Sequence, residues 1–183
     1  MTHRFIIRTA IIFGAVTALV PGVVLGDELA KKGSTSYTTN YVFQPMAYNT
    51  LKDAADQTIG RVIPLKLFGT TTNTKGEAAF DKMDVKCFAI KVEAGRKSDF
   101  NGACTMEDDD HDKIFSTFDS RELDESQPEM DCGTHIIIGG TGKYKGITGT
   151  EPFACIFKGL VLVGKPFGDY RVEIPHNVTW EIK

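Results

Sequence analysis

The sequence predicts an all-β fold of antiparallel strands, and three observations lead to this prediction. Eight or nine short segments alternate apolar and polar residues with a period of two, as half-buried strands do. Each segment is bounded by Gly, Asn, Asp or Pro. No long segment has the 3.6-residue apolar period of an amphipathic helix. Short strands in this arrangement form either an antiparallel sandwich or a closed barrel.

The N-terminal segment predicts export. Basic residues, among them Arg4 and Arg8, come before an apolar run over residues 9–25, and Gly26 is a small residue at the predicted cleavage point. An uncleaved membrane anchor is the alternative. However, Arg8 and Pro21 interrupt the run, and a charged side chain at the centre of a membrane-spanning helix costs about 2.5–3.5 kcal/mol. We therefore expect residues 1–26 to be a cleaved signal peptide.

Residues 27–183 are expected to form a single soluble domain, secreted or periplasmic. A chain of about 157 residues is long enough for one hydrophobic core. Loss of Arg4 and Arg8 with the signal peptide leaves 19 of the 21 basic residues against 24 acidic ones, a net charge of −5. Such a chain is a poor partner for nucleic acid or for an anionic membrane surface. We expect neither as a partner.

Before residue 83 the strand signals are short and separated. β-Forming residues dominate residues 37–43, and apolar residues alternate over residues 63–67. Pro64 lies inside the second segment and predicts an edge strand or a bulge, because proline cannot donate to a strand ladder. Between the two segments, residues 49–57 are predicted to form one short helical turn.

From residue 83 onward the alternation is denser. Residues 83–93 and 98–107 predict a hairpin that turns at Gly95 and Arg96. In its first strand Phe88 and Ile90 lie on the face opposite Val85, so this strand is predicted to be buried on both faces. Further strands are predicted over residues 114–118, 134–138, 153–157, 160–163, 170–174 and 178–182.

Four cysteines lie in the exported part of the chain, and an even number there favours two disulfides. Cys87 and Cys104 fall opposite each other in the predicted hairpin. The same count of positions on either side of a predicted turn places Cys132 opposite Cys155. Four buried free thiols are the alternative. The evidence for a zinc site is weaker than for either interpretation, because no CxxC spacing occurs and only three of the four histidines lie outside the signal peptide. We predict no metal ligands and no cofactor.

Acidic residues concentrate in one segment. Residues 107–131 contain 11 of the 24 acidic residues and carry a net charge of −9. Residues 119–131 contain almost no apolar side chain and are expected to form a long solvated loop. Residues 107–112 have the carboxylates that calcium prefers. They lack the EF-hand pattern, so a solvated hairpin turn is the favoured interpretation.

The run GGTGKYKGITG at residues 139–149 is the most distinctive part of the sequence. Its GxGxxxG spacing is one residue longer than the dinucleotide-binding fingerprint, and Lys143 is followed by Tyr144 rather than by Ser or Thr. A predicted strand follows the run, where a phosphate-binding loop would open a helix. The run is therefore interpreted as a turn between two strands.

This run resembles the GGTGxYxGxxG motif of the allene oxide cyclase-like and dirigent-like barrel superfamily, which includes many small exported bacterial proteins. The turn DDDHDK at residues 108–113 is similar to the Asp-x-Asp-Gly-Asp-Lys turn of bacterial members, with His111 where glycine is usual. The resemblance covers about residues 83–158. It implies an antiparallel closed barrel of about eight strands with a central apolar cavity. Relatives are often dimers or trimers, so the resemblance is compatible with a homo-oligomer, although the sequence does not give the oligomeric state.

The hypothesis for function is an exported barrel that binds a small apolar or aromatic molecule in its cavity. Alternation along the strands nominates four ligand-binding side chains: Tyr41, Phe43, Phe153 and Phe157. Two alternatives stay open. The first is a cofactor-free catalyst of cyclisation or coupling, as the resemblance implies. The second is a structural or interaction protein with a filled interior that uses its acidic loop.

A catalyst would need polar groups inside the apolar cavity, where burial shifts their pKa values. Glu151 shares the parity of Phe153 and is expected at the mouth of the cavity. His135 is expected opposite Pro152, next to Glu151, and Tyr170 lies on a late strand. These three are the candidate catalytic residues. A rim carboxylate, a surface histidine and a core tyrosine are the structural alternatives. No GxSxG or HExxH motif occurs, which disfavours a hydrolase.

Overall fold

The computed structural model describes most of the chain after the predicted signal peptide. The described residues are 29–95, 97–120, 131–154, 158–163 and 169–183, of which 97, 98, 131, 132, 158–163, 169 and 170 are described by their backbone alone. The predicted signal peptide and residues 121–130 of the predicted acidic loop lie outside these ranges. Within the described ranges there is no helix whose length and hydrophobicity would suit a bilayer crossing.

Ten β-strands account for most of the described residues, as their alternating sequences predict. They are β1 (Lys32–Pro45), β2 (Asn49–Lys52), β3 (Thr58–Asn73), β4 (Asp84–Ala94), β5 (Lys97–Glu107), β6 (Lys113–Ser120), β7 (Asp131–Gly140), β8 (Ile147–Ala154), β9 (Lys158–Val163) and β10 (Asp169–Ile182). A single 3₁₀ turn, Gly142–Tyr144, lies between β7 and β8 within the glycine-rich run.

Eight of these strands close into an antiparallel barrel. The order around the barrel is β1-β10-β8-β7-β6-β5-β4-β3, and β3 pairs with β1 to close it. The two short strands lie outside this ring: β2 pairs with β3, and β9 pairs with β10. Closure removes the unpaired edges that an open sheet would expose. The predicted all-β closed barrel of about eight strands is confirmed.

The core fills the inside of the barrel, because alternate residues of every strand point inward. Buried apolar residues include Tyr37 on β1, Leu65 on β3, Val85 on β4, Ile137 on β7 and Val178 on β10. A smaller set of polar side chains shares this interior: Thr35, Thr39, Thr71, Asn73, Ser116, Ser120, His135, Glu151 and His176. The barrel is therefore apolar over most of its interior, with polar groups at defined positions.

The outer face of β4 differs from the prediction of burial on both faces. Phe88 is 62% exposed and Ile90 is 51% exposed, whereas Val85 on the opposite face is buried. None of the described elements covers this outer face. Aromatic and β-branched residues suit a strand even where they are exposed, so their presence on both faces did not require a second layer.

The predicted hairpin and its disulfide are confirmed. β4 and β5 pair from Asp84↔Glu107 to Ala94↔Lys97, with the predicted Gly95 in the turn between them. Cys87 and Cys104 lie directly opposite each other and form a disulfide. The second predicted pair, Cys132 and Cys155, lies outside the side chains that the structure describes.

Residues 49–57 form a hairpin, not the predicted helical turn. β2 pairs with the start of β3, and the Asp53 carboxylate accepts hydrogen bonds from the backbone N–H groups of Ala55 and Gln57, both at 2.9 Å. An aspartate that binds its own downstream backbone in this way favours a turn over a helix. Asp56, with a φ of 61°, completes the reversal.

Pro64 lies where β3 changes partner. The pairing of β3 with β1 ends at Leu65, and the pairing of β3 with β2 begins at Val62. The Pro64 carbonyl accepts a hydrogen bond from the Met46 backbone N–H at 2.9 Å, so the proline nitrogen faces the same gap between β1 and β2. β3 is thus neither an edge strand nor bulged at this residue, but Pro64 occupies a point where no N–H is needed.

Candidate functional site

Three ionisable side chains meet inside the barrel: His135 on β7, Glu151 on β8 and His176 on β10. All three are buried, and Glu151 is only 1% exposed. The three strands are consecutive in the barrel, with His135 directly opposite Glu151 and His176 opposite Phe153. Neighbouring inward-facing residues on antiparallel strands lie close together, so the barrel brings side chains together that are far apart in sequence.

The contacts within this cluster are short but incomplete. One nitrogen or oxygen from each of His135, Glu151 and His176 lies within 4.8 Å of the others. Glu151 Oε1 is 2.7 Å from His176 Nδ1, but this contact lacks hydrogen-bond geometry. Glu151 Oε2 and both ring nitrogens of His176 have no hydrogen-bond partner. Buried polar atoms are normally satisfied, so this cluster is prepared to interact with something further.

Neighbouring residues hold two of the rings in place. A hydrogen bond of 3.1 Å joins Ser116 Oγ on β6 to His135 Nδ1. The Tyr37 ring stacks on His176 with the ring centroids 4.8 Å apart, and the Tyr37 hydroxyl donates to Met106 Sδ at 3.6 Å. Packing and hydrogen bonds therefore fix the orientation of His135 and His176 before any ligand binds.

Burial and neighbouring charges shift the protonation equilibria of the cluster. Burial alone would raise the pKa of Glu151, but the nearby His135 and His176 rings outweigh burial and hold that pKa below its usual range. Burial lowers the pKa of His135 to about 4, so this imidazole is neutral near pH 7. Burial and the Glu151 charge raise the pKa values of Tyr37 and Tyr41, which stay protonated. The site therefore holds an anionic carboxylate beside a neutral imidazole, and both can accept a proton or bind a cation.

A small cavity adjoins the cluster. Its volume is about 20 Å³, which is enough for one water molecule. Its wall is mainly aromatic and aliphatic, with two imidazoles and the disulfide: Tyr41, Phe43, Leu67, Cys87, Phe100, Cys104, Phe118, His135, Phe153, Ile174 and His176.

Four of the predicted ligand-binding and catalytic residues lie on this wall, together with the predicted disulfide of Cys87 and Cys104. Tyr41, Phe43 and Phe153 line the cavity, as does His135. The side chains of Phe157 and Tyr170 lie outside those that the structure describes.

Glu151 and His135 differ in position from the sequence-based expectation. Glu151 lies deep in the interior and not at the mouth of the cavity. His135 lies opposite Glu151, not opposite Pro152, because the register of β7 with β8 is one residue from the one that would place Cys132 opposite Cys155, and it runs without a shift from Gly133↔Phe153 to Ile137↔Gly149. The turn at the glycine-rich run joins the two strands and sets this register.

His176 is the residue of the cluster that sequence reasoning missed. The sequence did indicate that His176 points into the barrel, since it lies two residues from both Ile174 and Val178, which are buried on the inner face of β10. A polar residue within an apolar stripe was therefore the available signal. Its partners were not visible, because the pairing of β10 with β8 is set by closure of the barrel.

The acidic turn between β5 and β6 is occupied by a side chain. Lys143 Nζ lies 2.8 Å from Asp108 Oδ2 and 2.9 Å from Asp110 Oδ2. The Asp112 carboxylate accepts a hydrogen bond from the backbone N–H of Lys143 at 3.0 Å. The glycine-rich run thus supplies a cation to this turn, which favours the hairpin-turn interpretation over calcium binding.

His111 adopts the backbone conformation that glycine would favour in this turn. Its φ is 64°, in the left-handed region that is uncommon for residues with a β-carbon. The His111 ring compensates in part, since Nδ1 lies 2.8 Å from Glu107 Oε1. The departure from the Asp-x-Asp-Gly-Asp-Lys pattern therefore leaves the turn intact.

Comparisons with known proteins give a similar structure but no similar sequence. No family model matches the chain, and no curated protein matches it. Among solved structures, the chain is similar to the pterocarpan synthase dirigent protein GePTS1, with 15% sequence identity and a TM-score of 0.45 over 84% of this chain and 88% of that one.

Proposed function

We propose that the protein binds a small apolar or aromatic molecule inside the barrel. The main support is the composition of the cavity wall, where the rings of Phe43, Phe100, Phe118 and Phe153 surround the space and His135 adds a polar group. Apolar cavities with a few convergent polar groups are typical of small-molecule sites. An eight-stranded barrel has an interior that can just hold one small ligand.

An organic ligand has to displace side chains, because the cavity has room for about one water molecule. Phe43 and Phe100 are the half-buried rings on the wall, with their centroids 6.0 Å apart. Partly exposed side chains change rotamer more readily than fully buried ones. We expect these two rings to move apart when the ligand enters.

Export is part of the proposal. The Cys87–Cys104 disulfide supports it, because disulfides persist in secreted and periplasmic proteins and are rare in the cytosol.

Indole is a suitable probe for the first test, observed through the methyl resonances of Leu67 and Ile174 on the cavity wall. We expect indole to shift these resonances in the native protein. The variant Phe43→Lys should weaken the affinity at least about tenfold, since an apolar ligand would leave the ammonium poorly solvated. Phe88→Lys is the matched control, because Phe88 lies on the outer face and is exposed.

Native mass spectrometry of the protein purified from the exported fraction then identifies the natural ligand as a small non-covalent adduct. If indole moves no interior resonance and the exported protein carries no adduct, the proposal of a ligand-binding barrel is wrong.

A catalyst of proton transfer is the second candidate. It is favoured by the placement of His135 and His176 on the cavity wall beside the Glu151 carboxylate. A buried carboxylate can serve as acid or base for a bound molecule. With the natural ligand as substrate, Glu151→Gln should abolish turnover and leave indole bound. Unchanged turnover would leave only the binding function.

A further inference from the structure

The buried cluster of His135, Glu151 and His176 has the composition of a metal site. Its three side chains come from adjacent strands, and one donor atom of each lies within 4.8 Å of the other two. Two imidazoles and one carboxylate form a recurrent ligand set for zinc and for non-haem iron. All three residues lie on rigid strands of the barrel, which hold ligand atoms more firmly than loops do.

The unpartnered atoms of the cluster are the second observation that points to a bound cation. Glu151 Oε2 and both nitrogens of His176 are buried without a hydrogen-bond partner, and the 2.7 Å contact of Oε1 with Nδ1 lacks hydrogen-bond geometry. Leaving such atoms unsatisfied is costly in a protein interior. A cation bound between the carboxylate and the imidazoles would satisfy several of them together.

Apart from the two histidine rings, the described part of the interior offers no positive charge to the carboxylate. Among the side chains that the structure describes, no lysine or arginine is buried, and the buried polar residues other than the two histidines are Thr, Ser, Asn and Glu151 itself. A buried carboxylate needs a partner of opposite charge or a metal ion. A divalent ion would supply that charge.

We propose that His135, Glu151 and His176 together bind one divalent first-row transition-metal ion, of the class of Zn²⁺ or Fe²⁺. Ser116 is bonded to His135 Nδ1, so His135 offers Nε2 to the metal and Ser116 orients the ring. Calcium and magnesium are disfavoured, because they prefer oxygen ligands.

Three protein ligands leave a coordination position open. The cavity wall includes both His135 and His176, and the cavity has room for about one water. Catalytic metal sites with three protein ligands place a water or a substrate atom at such a position. The open position would therefore face the cavity. The metal site does not depend on the proposed organic ligand, and each can be tested without the other.

The test uses the full exported protein, stripped with a chelator and dialysed. We expect calorimetry to give one equivalent of bound Zn²⁺, and Co²⁺ to give visible absorption bands of a site with nitrogen ligands. Bound Zn²⁺ should also raise the melting temperature, because the ion binds the folded state alone. Ca²⁺ and Mg²⁺ at the same concentration should produce neither effect.

Variants then locate the site. Glu151→Gln and His176→Gln keep the side-chain size and should abolish stoichiometric Zn²⁺ binding, and Ser116→Ala should weaken it about 10–100-fold by freeing the His135 ring. His111→Gln is the matched control, since His111 also contacts a glutamate, Glu107, at 2.8 Å but lies on the exposed acidic turn. This control should bind Zn²⁺ as the native protein does.

Several results would overturn the proposal. Failure of the folded native protein to bind one equivalent of Zn²⁺ or Co²⁺ contradicts it directly. Retained binding in a folded Glu151→Gln protein, as judged by circular dichroism, places the ion elsewhere. If the glutamine variants do not fold, the Ser116→Ala protein decides, because an unchanged Zn²⁺ affinity there contradicts the assigned role of His135. Indole binding in a protein that takes up no metal would leave the proposed function standing.

Discussion

Gly102 lies at a point on the inner wall of the barrel where there is no room for a β-carbon. A β-carbon there would be 2.6 Å from the ring of Phe118 and 2.5 Å from the backbone oxygen of Phe88. Because Phe118 lines the cavity, Gly102→Ala should push its ring towards that space. We expect a loss of about 1–3 kcal/mol, as overpacked cores show, and a fall in melting temperature of about 2–4 °C for each kcal/mol.

The neighbouring Ala103 provides the control for this prediction. Ala103 is exposed on the outer face of β5, so Ala103→Ser should leave the melting temperature within about 1 °C, since surface substitutions usually change stability little. Thermal unfolding followed by circular dichroism measures both variants. A Gly102→Ala protein as stable as the native one would mean that Phe118 moves aside without loss of packing.

Individual residues of the candidate site were predictable to different degrees. The face of the strand on which Glu151 and His135 lie could be predicted from the alternation along β8 and β7, because alternation is a local signal. Their direct pairing could not, since it depends on the geometry of the turn between β7 and β8, which sets a register one residue from the one that would pair Cys132 with Cys155. The partners of His176 were out of reach for a similar reason. Pairing between strands distant in sequence is decided by barrel closure and not by any local pattern.

The acidic turn and the glycine-rich run stabilise each other as two turns at one end of the barrel. Burial would raise the pKa of Asp108, but the nearby Lys143 ammonium and Tyr144 hydroxyl, with a hydrogen bond from the Asp112 backbone N–H, outweigh it and hold that pKa below its usual range. A carboxylate with a lowered pKa stabilises the folded state above its unfolded-state pKa of about 3.9. This contribution is lost as the pH falls through the lower pKa of the folded state.

Asp108→Asn should therefore lower the melting temperature by a few degrees at pH 7, at about 2–4 °C for each kcal/mol lost. The difference from the native protein should shrink as the pH falls from 4 towards 2, where the native carboxylate also becomes protonated. Asp109→Asn is the control, because Asp109 is exposed on the same turn. A difference in melting temperature that stays constant between pH 7 and pH 2 would mean that the charge of Asp108 is unimportant.

Most strands were predictable because alternation and turn residues act over short distances. The hairpin of β4 and β5 followed from the position of Gly95, and its register placed Cys87 opposite Cys104. The prediction for residues 49–57 was wrong for a physical reason. An aspartate in mid-segment favours a turn by binding its own backbone, and β2 gains its stability from pairing with β3, which a local pattern does not reveal.

Barrel closure ties the two ends of the described chain together. β1 and β10 pair from Lys32↔Glu181 to Phe43↔Tyr170, and β10 also pairs with β8 and β9. The sequence alone left a sandwich and a barrel open, because both bury the same alternating strands. Only the resemblance of the glycine-rich run and the acidic turn to known barrels favoured closure.

Because closure depends on β10, removal of residues 178–183 should prevent folding of the whole barrel. The deletion removes Val178 and Trp180 from the core, together with the hydrogen bond of 2.9 Å from Trp180 Nε1 to the Ala30 carbonyl. Losing a buried tryptophan alone costs about 3–5 kcal/mol. This is a large part of the free energy of unfolding of a typical domain, which is about 5–15 kcal/mol. The freed edges of β1 and β8 would also lose their partner. We expect no cooperative transition in urea and strong binding of a hydrophobic dye, whereas deletion of Lys183 alone should preserve the transition. A cooperative transition in the shorter chain would mean that the remaining strands form a stable sheet without closing.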